Sequence, residues 1–185
     1  MTFLLWTSSA LAAVLLFWGV GAYQRLVRLR AAVLKAFAAL ETQLARLLAL
    51  MAEFDAGLEA QAPVGEGEIH AQRQAVQAAA AALRAALAAA RARPLDALAI
   101  AALARRARAL NSAWAALVQA PALQDEGVAA PSLAPWVQQR EELALQGRLA
   151  RQQFNTAVTR YNEAVAQFPA GVLAWCCGFR KGRVL

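Results

Sequence analysis

The sequence has few of the residues that most often carry catalysis, metal binding or covalent cross-linking. It contains one histidine and two cysteines, and the cysteines are neighbours, Cys176 and Cys177. Neighbouring cysteines rarely bridge each other without strain, so this pair is no disulfide framework, and we expect two small buried hydrophobic residues. Adjacent thiols with one distant histidine, His70, also lack the ligand spacing of a usual zinc site. We expect His70 on the surface or near a helix start.

Sequence motifs of the common enzyme classes are also missing. No P-loop, dinucleotide fingerprint, G-x-S-x-G or H-E-x-x-H stretch occurs. The acidic residues Glu41, Glu53, Glu141 and Glu142 do not form the E-x-x-H pairs of di-iron helical bundles. We therefore expect a protein that is not an enzyme and that needs no cofactor.

Alternation of apolar and polar residues, the pattern of a half-buried strand, is scarce as well. Apolar residues make up 60% of the chain, but alanine supplies much of the excess over an ordinary globular domain. Alanine is the strongest helix former and adds little hydrophobicity per residue. The composition therefore predicts an all-α fold without an extensive sheet.

Charge is missing from the start of the chain, since no charged side chain precedes Arg25. The run from Phe3 to Ala22 is long enough, as a helix, to span about 30 Å of hydrocarbon. A cleaved signal peptide would have a basic start and a shorter apolar core, whereas this run is flanked by Trp6, Trp18 and Tyr23, typical of interfacial aromatic residues. Residues 1–22 are predicted to be a retained transmembrane anchor. With no ionisable residue inside, the run offers no path for an ion.

The net charge of +7 permits nucleic acid, anionic lipid or an acidic partner, and the position of the basic residues separates these options. A basic cluster follows the apolar run directly, at Arg25, Arg28, Arg30 and Lys35. Positive charge on this flank predicts that it faces the cytoplasm and that the N-terminus faces out. The sequence thus favours a single-pass protein of the cell membrane whose basic cluster contacts the bilayer, and no nucleic-acid partner is expected.

Four long helices follow from the apolar spacing and from the prolines. The first continues from the anchor and carries apolar residues at alternating spacings of four and three: Val33, Phe37, Leu40, Leu44, Leu47, Met51 and Phe54. A loop around Pro63 precedes a second helix, which begins at about Glu68. Pro94 ends this second helix and opens a third. Stripes of larger apolar residues predict the buried faces of these two helices: Ile69, Val76, Leu83 and Leu87, then Leu103, Leu110, Trp114 and Leu117.

A fourth helix is predicted from an N-cap at Ser132 to about Phe168, before Pro169. Its second half repeats an aromatic and a following residue every seven positions, at Phe154-Asn155, Tyr161-Asn162 and Phe168-Pro169. We expect Phe37, Leu44, Tyr161 and Phe168 in the core. Asparagine is a weak interior helix former, so Asn155 and Asn162 either fix helix register through hydrogen bonds or contact a partner or ligand.

The expected fold is an N-terminal transmembrane helix followed by an elongated antiparallel four-helix bundle over residues 23–168. An even number of antiparallel helices returns the chain to the side where it began. Residues 169–185 would then form an amphipathic basic tail near the bilayer. Its apolar and basic side chains include Trp175, Phe179, Arg180, Lys181 and Arg183, and they either contact lipid or cap the end of the bundle.

Three stretches together resemble the LemA family. The run from Phe154 to Pro169 resembles its YN-x5-YN-x5-FP repeat, residues 174–179 resemble its A-x-x-x-G-F ending, and residues 23–30 resemble its YN-x-L-V-x-L-R start. Phe154 and Gln24 depart from that pattern, and the family's proline and asparagine after Leu44 are missing. The resemblance implies a membrane-anchored helical bundle without assigned catalytic residues. It leaves open a protein partner, the oligomeric state, a lipid-binding role and an unrecognised enzyme.

Overall fold

The computed structural model describes residues 2–61, 68–120, 133–167, 171 and 177–185 of the chain. It places four helices in this part: α1 (Thr2–Gln61), α2 (Glu68–Ala92), α3 (Ala97–Val118) and α4 (Ala134–Ala166). The described residues contain no strand, as the composition predicts. The predicted fourth-helix cap Ser132 and the predicted core residue Phe168 lie outside the described residues, as does Trp175.

Helix α1 is one continuous helix of 60 residues, which at 1.5 Å per residue is about 90 Å long. It passes through Asp55 and Gly57 without interruption and ends at Gln61. Its first buried residue among those whose side chains are described is Leu26. Within the described part of the chain, no helix combines the length and the hydropathy that a bilayer span requires.

Helices α1 and α4 are antiparallel neighbours along most of the bundle. Leu26 packs with Ala164 at one end, and Phe37 meets Phe154 in the middle, with ring centroids 5.9 Å apart. Towards the other end, the Phe54 ring lies 5.7 Å from that of Trp136. The aromatic residues of the seven-residue repeat fill the core here, since Phe154 and Tyr161 are almost completely buried, and Ala150, Ala157 and Ala164 allow the helices to approach closely.

Helices α2 and α3 form the second closely packed pair, through the predicted apolar stripes. Val76, Leu83 and Leu87 of α2 are buried, as are all four predicted core residues of α3. Asp96, rather than Pro94, begins α3, and its carboxylate accepts a hydrogen bond from the Leu98 amide at 3.1 Å. The prediction that Pro94 opens the helix was wrong, because Asp96 can satisfy a free amide of the first turn and proline cannot.

Polar contacts connect α2 to α1 at the end of the bundle farther from Leu26. Asp55 of α1 forms an ion pair with Arg73 and accepts a hydrogen bond from the Gln77 side chain at 2.6 Å. The hydrogen bond from Arg73 lowers the pKa of Asp55 below its usual value, against the opposing effect of burial. Arg91 and Glu41 form a second, more exposed ion pair between the same helices.

The predicted apolar stripe of α1 is only partly in the core. Phe37, Leu40, Met51 and Phe54 are buried, as expected. Leu44, which we also expected in the core, is half-buried, and so is Leu47. Leu44 and Leu47 are only half-buried because they form part of the floor of a cavity that lies between α3 and α4.

Candidate functional site

The basic cluster after the apolar run lies on the exposed surface of α1. Arg25, Arg28, Arg30 and Lys35 are all exposed. Arg30 lies 6.0 Å from the centroid of the Phe179 ring, at the distance of a cation–π contact. The structure therefore brings one residue of the basic cluster against one residue of the tail, although more than a hundred residues separate them in the sequence.

The tail turns at Cys177 and Gly178 and returns along α4. Gly178 has a φ of +71°, a left-handed conformation that glycine adopts without steric strain. The next residue, Phe179, is half-buried against Leu26 and Ala164, and its ring centroid is 6.1 Å from that of Tyr23. Arg180, Lys181 and Arg183 are exposed beside it. Cys177 is exposed too, in the turn, which corrects the expectation of a buried residue, and Cys176 lies outside the described residues.

Asn155 and Asn162 hold the backbone of the tail. The Asn162 side chain donates to the Gly182 carbonyl at 2.8 Å and accepts from the Gly182 amide at 2.8 Å. Asn155 does the same for Leu185, with distances of 3.0 Å to the carbonyl and 2.8 Å from the amide. A side-chain amide offers one acceptor and two donors, so each asparagine pairs with the tail residue as another peptide group would. We call this arrangement the asparagine clamp.

The spacing of the clamp follows from helix and strand geometry. Seven residues of α4 between Asn155 and Asn162 correspond to a rise of about 10.5 Å. Three residues of extended chain, from Gly182 to Leu185, cover about 10 Å. The two repeats match, so both asparagines can pair with an extended tail that runs antiparallel to α4. The sequence predicted that these asparagines fix helix register or contact a partner or ligand, and in the structure they pair with the tail instead.

Gly182 lets the tail come close to two parts of the bundle. A Cβ atom at this position would lie 3.1 Å from Cδ2 of Leu95, in the α2–α3 connection, and 3.4 Å from Cγ1 of Val158 of α4. These distances leave little room for a side chain. The tail therefore fills the space between α4 and the α2–α3 connection. The clue in the sequence is that the distance from Asn155 to Asn162 along a helix matches the distance from Gly182 to Leu185 along an extended chain.

Replacing Asn162 by alanine is expected to free the tail. The change removes two hydrogen bonds and leaves the amide and carbonyl of Gly182 without partners, which typically costs about 1–3 kcal/mol of unfolding free energy. Hydrogen exchange at Gly182 and Leu185, together with chemical denaturation, measures both effects. Asn162→Asp keeps the acceptor and loses the donor, so exchange should rise less.

Thr159→Ala is a matched control for this prediction, because Thr159 is an exposed residue of the same helix. The tail amides of this variant should exchange as in the unchanged chain, and its denaturation midpoint should be equal or slightly higher because alanine is the better helix former. Protected tail amides in Asn162→Ala would contradict the clamp.

The remaining titratable side chains form no metal site in the described part of the chain. No group of three or more His, Cys, Asp and Glu side chains there is placed to hold a metal ion. His70 is exposed, and its Nε2 lies 2.8 Å from Nε2 of Gln74 in the next turn. Burial raises the pKa of the Tyr161 hydroxyl above its usual value.

Comparisons with known proteins add no relative to this picture. No protein-family model, no curated protein and no solved structure matches the chain. The resemblance to the LemA family thus rests on the residues of the sequence alone.

Proposed function

We propose that this chain is a membrane-anchored, non-catalytic helical bundle of the LemA type that serves as an interaction or scaffold module at the cytoplasmic surface of the cell membrane. In this proposal, residues 1–22 form the single transmembrane anchor, residues 23–168 form an antiparallel four-helix bundle, and residues 169–185 form a basic tail. The N-terminus faces out.

The observation that carries the anchor is the apolar surface of α1 before the bundle begins. Phe17 is 83% exposed and Val20 is 55% exposed, and they continue the uncharged run that starts at Phe3. Contiguous apolar surface of this kind is rare on soluble monomers and is typical of surfaces that meet a membrane or a partner. The run is followed by the exposed basic cluster, as expected on the cytoplasmic side of a span.

A second candidate function, binding of anionic lipid, is favoured by the position of the tail. Phe179 contacts Tyr23 and Arg30, so Arg180 and Lys181, which follow Phe179 directly, lie at the same end of the bundle as Arg30. Arg183 lies further along the tail, between the residues that Asn162 and Asn155 hold. In the proposed orientation this end faces the bilayer. Each basic residue near an anionic leaflet contributes about 1 kcal/mol of binding, and both groups act together.

Flotation with lipid vesicles tests the anchor and the tail in one experiment. The full chain, reconstituted in phosphatidylcholine vesicles, should float at low and at high salt because the anchor is held by hydrophobic insertion. A fragment of residues 23–185 retains the core, since Leu26 is the first buried residue among the side chains that the structure describes. It should float with phosphatidylglycerol vesicles at low salt only, because salt screens charges at the surface.

Matched variants of this fragment separate the tail from net charge. Changing Arg180 and Lys181 to glutamine should weaken binding about thirtyfold, from about 2 kcal/mol of lost attraction. Changing the exposed residues Arg46 and Arg84 to glutamine removes the same charge from the middle of the bundle and should have a much smaller effect. Equal binding of the two double variants would remove the tail from the mechanism. Release of the full chain by salt would refute the anchor.

A further inference from the structure

A cavity of about 730 Å³ lies between α1, α3 and α4, and the tail runs into it. Leu40, Leu44 and Leu47 of α1 form its floor, with Leu143 of α4 beside them. Arg183, Val184 and Leu185 of the tail also line it. The size falls in the range of about 300–1,000 Å³ that is usual for ligand sites.

Every charged side chain that lines the cavity is an arginine. They come from α3, α4 and the tail: Arg105, Arg108, Arg140, Arg148, Arg151 and Arg183. An apolar floor with a purely basic rim complements a ligand that has apolar groups on one face and carboxylates on the other. The positive charge of these arginines therefore favours a negatively charged ligand.

Arg140 is positioned for such an occupant without having a carboxylate of its own among the described residues. Its Nη2 donates to Oδ1 of Asn111 at 2.6 Å, and its guanidinium lies 5.4 Å from the centroid of the Trp114 ring. Its Nε is buried and has no hydrogen-bond partner in the described part of the chain. Burial lowers the pKa of this guanidinium, and an incoming carboxylate would offset that effect.

Two features favour a polypeptide over an acyl chain. The cavity is lined by a second buried polar atom without a partner among the described residues, Oε1 of Gln43, which accepts a hydrogen bond that a peptide N–H can donate and an ionised fatty acid cannot. The same groove already holds an extended polypeptide, because the tail passes Asn162 and then Asn155 towards the cavity. Arg148 lies seven residues before Asn155, at the next step of that α4 stripe.

We propose that the cavity is a docking groove for an extended acidic segment of a partner protein, with its apolar side chains on Leu44 and Leu47 and a carboxylate on Arg140. The segment lies in the cavity beside Arg183 and Leu185 of the tail. The proposal rests on the role of the chain as an interaction module and is independent of how the chain is attached to the membrane.

A defined peptide tests the groove in the full chain, reconstituted in phosphatidylcholine nanodiscs. The probe is a fluorescein-labelled peptide of four Glu-Leu repeats, because alternation in an extended chain places leucine on one face and glutamate on the other. Fluorescence anisotropy should show saturable binding, and a peptide of Lys-Leu repeats should not bind. Arg140→Gln should weaken binding about tenfold or more, since it removes the partner of a buried carboxylate. The neighbouring control Arg106→Gln lies outside the cavity lining and should bind normally.

Gly147→Leu supplies a variant that blocks the groove without disturbing the fold. Gly147 lines the cavity, and a Cβ added there meets nothing within 4 Å. Leucine is also the better helix former, so the variant should be at least as stable and should lose peptide binding by about tenfold or more. Equal binding of the peptide by Gly147→Leu, equal binding of the Lys-Leu peptide, or no binding of the Glu-Leu peptide would overturn the proposal. Saturable binding of oleate alone, lost in Gly147→Leu, would identify a lipid site instead.

Discussion

Replacing Phe154 by alanine is expected to lower the free energy of unfolding by about 3–5 kcal/mol. Phe154 is completely buried, and its ring packs edge-on against Phe37, with an interplanar angle of 64°. The change removes this aromatic contact and leaves a cavity that α1 and α4 can close only in part. A loss of this size is a large part of the stability of an ordinary domain, about 5–15 kcal/mol.

Chemical denaturation of the fragment of residues 23–185 measures the loss. Phe154→Leu keeps most of the volume and should cost less than about 1.5 kcal/mol, so it gives a second point if the alanine variant does not fold. Gln153→Ala is a control at an exposed position of the same helix and should change stability by no more than about 0.5 kcal/mol. If Phe154→Ala and Gln153→Ala unfold at the same denaturant concentration, Phe154 does not hold α1 and α4 together.

The buried faces of the helices were predictable because helical packing repeats along the chain. The spacing of Leu83, Leu103 and Leu110 identifies residues that the structure buries almost completely. The same reasoning failed at Leu44, since a stripe shows which face of α1 points inwards but not whether a neighbouring helix covers it. Coverage depends on the separation of α3 and α4, which no local pattern specifies.

The start of α3 shows a second limit, set by competition between two local signals. Pro94 and Asp96 both favour a helix start, and the structure uses the carboxylate of Asp96 as the cap. Asp96 caps the helix because its side chain accepts a hydrogen bond from a first-turn amide, whereas Pro94 only lacks an amide that would need such a bond.

The asparagine clamp was not predicted from the sequence, for a different reason. Asn155 and Asn162 were recognised as unusual residues within a helix, but their partners, Gly182 and Leu185, lie 20 and 30 residues further along the chain. The turn at Gly178 precedes the segment that returns along α4 and brings them together. The basic rim of the groove was hidden in the same way, because its arginines come from separate segments and each one looks like an ordinary solvated residue.

The second large effect concerns the orientation of the chain in the membrane. The proposal places the N-terminus outside and the C-terminus in the cytoplasm, so a reporter fused to either terminus should be active on one side only. A reporter that works only in the cytoplasm should be active when fused after Leu185. A reporter that works only after export should be active when fused before Met1. In the proposal, Arg25, Arg28, Arg30 and Lys35 set this orientation through the positive-inside bias, so changing all four to glutamine should produce a mixed population.

The pair of terminal reporters on the unchanged chain tests the account most directly, because one measurement checks both the span and the side of the bundle. The account predicts exported activity at the N-terminus and cytoplasmic activity at the C-terminus in the same membrane fraction. Exported activity after Leu185 would place the bundle on the opposite side. Cytoplasmic activity at both termini would show that the run from Phe3 to Ala22 does not cross the membrane.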